Sequence, residues 1–215
     1  MKKNGFTLAE VLITLAIIGV VATLTLPALM SNTQEQQAIT GFRKAMNTLN
    51  EIGQMNAAVD GFDYSGITVT TAPSARAVYD ANGVLEQSVW GIVASKAQVD
   101  VGSSTTGGLG GGCQGLNQAF FRDGTVLCYA ATATGNANQV INAVIDTNGR
   151  KAPNIVSSCG DMNCATANTK NIKDQFNITL RGSIAIPGRI TIAANGDITE
   201  GATPTDFAAR WAMRK

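Results

Sequence analysis

The chain has 215 residues, with 16 lysines and arginines against 15 acidic residues and no histidine. This length suits one medium domain with an appended element, and a net charge of +1 supplies no bulk attraction to nucleic acid or to an anionic membrane. Histidine is the usual general base and the commonest zinc ligand, so Ser-His-Asp hydrolases and histidine-ligated metalloenzymes are excluded.

A long apolar segment follows a short basic N-terminus. Lys2 and Lys3 precede a stretch from Phe6 to Met30 in which Glu10 is the only charged residue. As a helix, this stretch would be roughly 37 Å long, enough to cross a hydrocarbon core of about 30 Å. Because cations flank only its N-terminal side, we expect the N-terminus in the cytoplasm and the rest of the chain outside. A plain single-pass anchor would explain this composition.

Two residues point beyond a plain anchor. Glu10 lies inside the apolar run, where an ionised carboxylate is costly unless it meets a cation. Gly5 stands where the basic leader meets the apolar run, and its missing Cβ suits close approach by a protease. Gly5 followed by Phe-Thr-Leu-Ala-Glu-Val-Leu-Ile resembles the processing signature of type IV prepilins and type II secretion pseudopilins.

The resemblance covers the first thirty residues or so and implies a processing route. A membrane prepilin peptidase would cleave between Gly5 and Phe6 and methylate the new Phe6 amine. The chain would reside in the bacterial inner membrane and assemble, on an inner-membrane platform, with copies of itself and other pilins. The product would be a periplasmic pseudopilus or a cell-surface pilus.

The resemblance also suggests roles for two further residues. Glu10 of one subunit would pair with the Phe6 amine of a neighbour, so that two separately costly charges compensate each other; the alternative is a Glu10 that only reaches the headgroups. Pro27 lies where the family often kinks its helix, since proline removes one helical hydrogen bond, although an ordinary membrane helix tolerates the same proline.

The pattern changes after the apolar segment. Apolar residues recur every three or four positions among polar ones, at Ile39, Phe42, Met46, Leu49 and Ile52. We therefore predict a leader at 1–5, a membrane helix at 6–30, its amphipathic continuation at 31–60, and an extracytoplasmic head at 61–215. Gly41 and Gly53 are expected to weaken the helix by about 1 kcal/mol each relative to alanine.

The head is predicted to be α+β, with an antiparallel sheet packed on the amphipathic half of the helix. The strand candidates are 119–122, 125–129, 140–146, 176–181, 189–193 and 197–199. Asp123-Gly124 predicts a two-residue hairpin, and Asn195-Gly196 a second turn.

Three further segments of the head have weaker patterns. Residues 75–93 have roughly helical spacing, although Asn82-Gly83 interrupts it. Residues 102–115 are rich in glycine, serine and threonine and predict a flexible loop. Near the C-terminus, Thr205 and Asp206 are expected to cap a short helix with Phe207 and Trp211 on one face.

All four cysteines lie on the predicted outer side of the membrane. Their spacing lacks a CxxC pair, so zinc is poorly supported, and an even count in an oxidising compartment favours two disulfides. Of the three possible connectivities we prefer Cys113–Cys128 and Cys159–Cys164, because both close local loops.

Residues 146–154 read Asp-Thr-Asn-Gly-Arg-Lys-Ala-Pro-Asn and resemble an element that recurs in pilins and pseudopilins. Asp146 and Asn148, with Asp161 further along, are weak candidate calcium ligands, since some pseudopilins bind calcium in such loops. Gly149 comes too early for an EF-hand, and the cations that follow oppose a metal ion. An Asx turn at Asp146 explains the same residues, and no other cofactor is expected.

The sequence therefore predicts a structural subunit that polymerises through its N-terminal helix and is not an enzyme. The alternative is a minor pilin that acts as an adhesin or as a DNA-uptake binding module. A DNA-facing patch could draw on several basic residues, but scattered surface cations are the commoner explanation, and nucleic acid is not an expected partner. Those residues are Arg181, Arg189, Arg210, Arg214 and Lys215.

Overall fold

The computed structural model describes residues 7–69, 78–80, 82–103, 109–130, 139–165, 170–193 and 195–215. The chain divides into two compact units, Met1–Gln37 and Ala38–Lys215. Helix α1, Leu8–Val59, starts in the first unit and ends in the second. The predicted α+β class, a long N-terminal helix followed by an antiparallel sheet, is confirmed.

The first unit consists of the apolar part of α1. Among the described residues, α1 is the one helix that is long and apolar enough to span a membrane. Its apolar side chains are exposed, Leu8 to 79% and Leu24 to 75%. Such a continuous apolar surface is stable only against lipid or other apolar helices. Pro27 lies within this helix.

The second unit begins with the amphipathic part of α1, whose predicted core face is confirmed. All five residues of the predicted stripe are at least 97% buried. Phe42 stacks on Phe176 of the sheet with ring centroids 4.4 Å apart. Two buried aromatic rings in this contact remove a large apolar area from water, which stabilises the packing of α1 on the sheet.

Gly53 has a packing role that its helix propensity does not indicate. A Cβ at this position would lie 2.6 Å from the carbonyl oxygen of Ser183 and 2.8 Å from the ring of Tyr64. Glycine therefore lets α1 approach the turn after the fifth strand, and this contact offsets part of the expected weakening of the helix. The helix ends at Val59, followed by Gly61 with φ of 75°.

Six strands form one antiparallel sheet in the order β1-β2-β3-β4-β5-β6. Their bounds are β1 Val99–Ser103, β2 Asn117–Phe121, β3 Val126–Tyr129, β4 Ile141–Asp146, β5 Gln175–Arg181 and β6 Ile184–Pro187. The sequence did not indicate β1 or β6. A separate antiparallel pair consists of β7 Ile190–Ile192 and β8 Ile198–Glu200, joined through the predicted Asn195-Gly196 turn.

The β2–β3 hairpin exists, but the predicted two-residue turn is wrong. The Phe121 N–H donates to the Thr125 carbonyl at 2.9 Å, and the Gly124 N–H donates to the Phe121 carbonyl at 3.0 Å. Three residues therefore connect the strands, and Gly124 has φ of 92°. A three-residue loop of this kind needs glycine at its last position.

The helix predicted at 75–93 is wrong for the described residues before 89. Tyr79 and Leu85 form an antiparallel bridge, and the Asp80 side chain accepts the N–H groups of Asn82 and Val84. This Asx turn competes with helical bonding. Helix α2 covers only Val89–Lys96; residues 70–77 and 81 lie outside the described residues.

The flexible loop predicted at 102–115 is wrong at both ends. Strand β1 extends to Ser103, and a 3-10 turn covers Gly111–Cys113, with Leu109 and Cys113 buried. A disulfide and side-chain hydrogen bonds fix this turn, as described below. Residues 104–108 lie outside the described residues.

The C-terminal helix α3, Pro204–Arg214, is capped by Thr203 and not by Thr205. Thr203 and Asp206 form a reciprocal capping box. Pro204 follows at the first helical position, where its missing N–H matters least. Trp211 is buried and Phe207 packs at the edge of the core, as their spacing predicted.

Candidate processing and assembly site

The described N-terminal site is built on the first turn of α1. The Thr7 backbone N–H and hydroxyl both donate to Glu10 Oε2 at 2.8 Å, and the Glu10 N–H donates to Thr7 Oγ1 at 3.3 Å. This is a capping box, in which the residue before the helix and its third residue satisfy each other's backbone donors. Thr7 therefore caps the helix, and it orients the Glu10 carboxylate.

The contacts with Thr7 help to explain how a charged Glu10 is tolerated in an apolar segment. Two charge-assisted hydrogen bonds from its own chain and the positive end of the helix macrodipole both favour a carboxylate at this position. Thr7 was not singled out from the sequence, although Thr-x-x-Glu before an apolar run is a known start signal for a helix. Gly5 and Phe6, the predicted cleavage residues, lie outside the described residues.

A second candidate site lies at the end of β4 in the head. Asp146 is fully buried, and its Oδ1 accepts the N–H groups of Asn148 at 3.1 Å and Gly149 at 2.8 Å. Its Oδ2 accepts from Gln175 Nε2 at 2.9 Å. With its amide nitrogen directed inward, Asn154 also donates to Oδ2, at 3.1 Å. The Asx turn is therefore present, and both carboxylate oxygens are used by N–H donors.

The same network holds the turn that precedes β2. Gln175 Oε1 accepts the Gly112 N–H at 2.8 Å, and Gln175 Nε2 also donates to the Gly110 carbonyl at 3.0 Å. The neighbouring Asp174 accepts the N–H groups of Asn154 at 2.7 Å and Ile155 at 2.9 Å. No local pattern indicates Asp174 and Gln175, because their role depends on β4 and β5 lying side by side.

Burial raises the pKa of Asp146 to about 6. Hydrogen bonds from Gln175, Asn148 and Gly149 lower this pKa, but they do not outweigh burial. The nearby Asp174 carboxylate also raises it. At neutral pH the group is therefore mainly ionised and accepts all of these bonds.

Asp161, the third weak candidate for calcium, lies in a different turn, where its Oδ1 accepts the N–H groups of Asn163 and Ala165. Among the described residues, no three acidic, cysteine or histidine side chains converge on a possible metal position. The predicted calcium ligands are therefore not brought together in the described part of the chain.

The structure places both predicted cysteine pairs at bonding distance. Cys113 and Cys128 have Cα atoms 5.3 Å apart, and Cys159 and Cys164 have Cα atoms 5.1 Å apart. The first bond ties the glycine-rich turn to β3, and the second closes a short loop. Both pairs belong to the second unit.

Residues 1–26 match the family model described as the prokaryotic N-terminal methylation motif. The chain therefore carries a prepilin-type cleavage and methylation segment at its N-terminus. The match ends within the apolar part of α1 and does not reach the head. No curated protein and no solved structure gives a significant match to the chain.

Proposed function

We propose that the chain is a structural subunit of a type IV pilus or a type II secretion pseudopilus. The observation that carries this proposal is the methylation motif at residues 1–26, together with a carboxylate at Glu10 that Thr7 holds at the start of an apolar helix. The chain is then a substrate of processing enzymes and a building block, and not an enzyme.

Assembly follows from leader removal. Cleavage after Gly5 would create a charged, N-methylated amine at Phe6, one residue before the helix cap. That amine and Glu10 of a neighbouring subunit would each be costly alone in an apolar environment, whereas together they form a compensated pair. The pair would fix the axial stagger between helices whose remaining surfaces are interchangeably apolar.

The exposed apolar side chains of α1 suit a helix that lies first in the membrane and later in a filament. In the membrane they would face lipid, and in the filament the same side chains would face the helices of other subunits. Both environments are apolar, so transfer from one to the other involves little net hydrophobic free energy. Polar contacts at Glu10 would therefore decide when a subunit enters the filament.

Location and partners follow from the same scheme. We propose a single-pass inner-membrane protein with a cytoplasmic leader, a periplasmic head, and a final place in a periplasmic or surface filament. Its partners would be the prepilin peptidase, the inner-membrane assembly platform, copies of itself and other pilins.

Two measurements test this function. Mass spectrometry of the purified protein should show an N-terminus at methylated Phe6, whereas a retained leader would contradict it. Glu10→Gln should be inserted and processed yet largely absent from sheared or overexpressed filaments. Glu35→Gln, a matched change further along the same helix, should assemble like the wild type. Filaments formed equally well by Glu10→Gln would rule out the pairing.

A further inference from the structure

Basic side chains gather at one end of the head, where the second unit begins. Gly41 of α1 packs on the loop after β4, since a Cβ at Gly41 would lie 3.2 Å from Cβ of Thr147. Two residues further on, Arg43 donates to the carbonyl oxygen of Ala212, so the last turn of α3 also meets this part of α1. Segments that are far apart in the sequence therefore surround residues 41–43.

The segment before β5 joins these two contacts. The Thr147 N–H donates to the carbonyl oxygen of Asp174 at 2.9 Å, which brings this segment beside the loop after β4. In the same segment, Nζ of Lys170 lies 4.5 Å from the centre of the Trp211 ring of α3. We call the four segments that meet here the basic end of the head, namely residues 38–44, 146–151, 170–174 and 212–215.

The basic end concentrates charge that the net charge of the chain does not reveal. Residues 38–215 contain 14 lysines and arginines and 13 aspartates and glutamates. Eight of these cations and two of these acids belong to the basic end, so the rest of the head has six cations against eleven acids. The charge of the head is therefore strongly polarised, and the local potential at this end is positive.

The cations of the basic end are exposed, whereas its acids are not. Asp146 and Asp174 are 0% and 4% exposed, and both accept N–H groups of their own head. Lys44 pairs with Asp123 of the β2–β3 turn. Within the described ranges, five exposed cations of this end form no ion pair, namely Arg150, Lys151, Lys173, Arg214 and Lys215.

Phosphate groups are the anions that such a surface suits. Lysine and arginine bind phosphate oxygens through charge-assisted hydrogen bonds, and cations on several segments suit an array of headgroups. The chain reaches Gly41 eleven residues after Met30, the end of its apolar stretch. Any bilayer that the apolar stretch spans is therefore tethered to this end of the head, which raises the effective concentration of headgroups around it.

The acids of the head do not offer an equal counterpart in a second copy. Asp60 pairs with Lys96, and Glu200 lies 3.6 Å from Arg210. Several others accept backbone N–H groups in separate turns and at a helix cap, namely Asp63, Asp80, Asp161 and Asp206. These acids are dispersed and bound within their own chain, so the observations favour lipid phosphates over another head.

We propose that the basic end binds the headgroups of anionic phospholipids and so holds the head against the membrane surface. Lys151 and Lys173 contact phosphates beside Gly41, and Arg214 and Lys215 do so beside the last turn of α3. This inference rests on the single-pass membrane location proposed above, and it does not need a filament. When a subunit enters a filament, these contacts have to break.

Tryptophan quenching of the full-length protein in vesicles tests the contact. Trp90→Phe leaves Trp211 of the basic end as the reporter, and it breaks no hydrogen bond of the described structure, because Nε1 of Trp90 has no partner there. Nitroxide headgroups should quench Trp211 at least about twofold more in phosphatidylcholine vesicles that contain phosphatidylglycerol than in phosphatidylcholine alone. Raised salt should remove this difference, because exposed charges are screened.

Two matched variants locate the contact. Lys151→Gln/Lys173→Gln removes two exposed cations of the basic end and should reduce the excess quenching at least about threefold. Arg122→Gln/Arg189→Gln removes two exposed cations outside the basic end and should be quenched like the parent. Near-UV circular dichroism establishes that each variant is folded.

The outcomes separate the docking from the proposed function. Equal quenching in the two lipids, or equal losses in the two double variants, would overturn the docking while the membrane location and the filament function stand. If quenching follows protein density and not phosphatidylglycerol, the basic end meets a second copy and the lipid contact is wrong. If the chain does not float with the vesicles, the membrane location and the docking both fail.

Discussion

The Nε–H of Arg43 in α1 donates to the carbonyl oxygen of Ala212 in α3 at 2.9 Å. Ala212 lies in the last turn of α3, where carbonyl groups lack helical partners and the macrodipole is negative. A guanidinium at this position supplies both a donor and a favourable charge. The contact joins α3, at the C-terminal end of the head, to the amphipathic part of α1, at the start of the head.

Replacing Arg43 with methionine keeps an unbranched apolar stem but removes the donor and the charge. We expect the free energy of unfolding of the head to fall by about 1–2 kcal/mol, because a partly buried charge-assisted bond is lost. Urea denaturation of the full-length protein in detergent measures this loss.

Lys44→Met is the neighbouring control. Lys44 pairs with Asp123 at 2.8 Å, but its side chain is 62% exposed, so this change should cost less than about 0.5 kcal/mol. If the two variants lose similar amounts of unfolding free energy, the Arg43 contact stabilises the head no more than the exposed Lys44–Asp123 pair does.

Gly53→Ala tests the close approach of α1 to the turn after β5. Alanine favours a helix by about 1 kcal/mol, but its Cβ would lie 2.6 Å from a backbone oxygen that cannot rotate away. We expect net destabilisation of the head by about 1–3 kcal/mol. Gly19→Ala, where a Cβ would meet nothing within 4 Å, should leave head stability unchanged in the same denaturation experiment.

Thr7 offers a test of how Glu10 is held. Thr7→Val keeps the shape of the side chain but removes the hydroxyl that bonds Glu10, and we expect filament yield to fall about tenfold while leader cleavage continues. Thr7→Ser retains the hydroxyl and should assemble like the wild type. Thr14→Val removes a hydroxyl that bonds only the Val11 carbonyl among the described contacts, and it should have little effect. Normal assembly of Thr7→Val would mean that the cap is dispensable.

The raised pKa of the Asp146 carboxyl group predicts a specific pH dependence of the free energy of unfolding. An unfolded aspartate has a pKa of about 3.9, whereas burial raises that of Asp146 to about 6. Between these values the folded state keeps a proton that the unfolded state has lost. The contribution of this group to the free energy of unfolding therefore falls as the pH rises from about 4 to about 6, and is constant above that.

Carbon NMR of the Asp146 carboxyl group gives the direct measurement, and the expected midpoint is near pH 6. In denaturation, the wild type and Asp146→Asn should differ in pH slope only between about pH 4 and 6. A midpoint near 4 would contradict the effect of burial.

The local pattern of the sequence was sufficient for several elements. The spacing of Ile39, Phe42 and Met46 defined the buried face of α1, because helical periodicity alone decides which side chains share a face. The methylation motif at residues 1–26 was recognisable because it is a pattern of neighbouring residues in the sequence. The cysteine pairs followed from the short loops that they close.

Other features depend on residues that only folding brings together. Strands β1 and β6 are only five and four residues long, so their partners in the sheet specify them rather than their own composition. The turn at Gly111–Cys113 has the composition of a flexible loop, yet Gln175 binds it from 63 residues away. Asp146 is a buried acceptor whose donors come both from the loop after β4 and from Gln175 of β5, 29 residues further along the chain.

The sequence by itself thus determined the N-terminal half of the helix, its processing motif and the lone carboxylate inside it, since these depend on near neighbours along the chain. Only the tertiary structure decided which head residues meet: the Arg43 contact with α3, the glycine fit at position 53, and the hydrogen bonds from Gln175 to the turn before β2. Contacts across tens of residues are set by the packing of whole elements, and no local pattern encodes them.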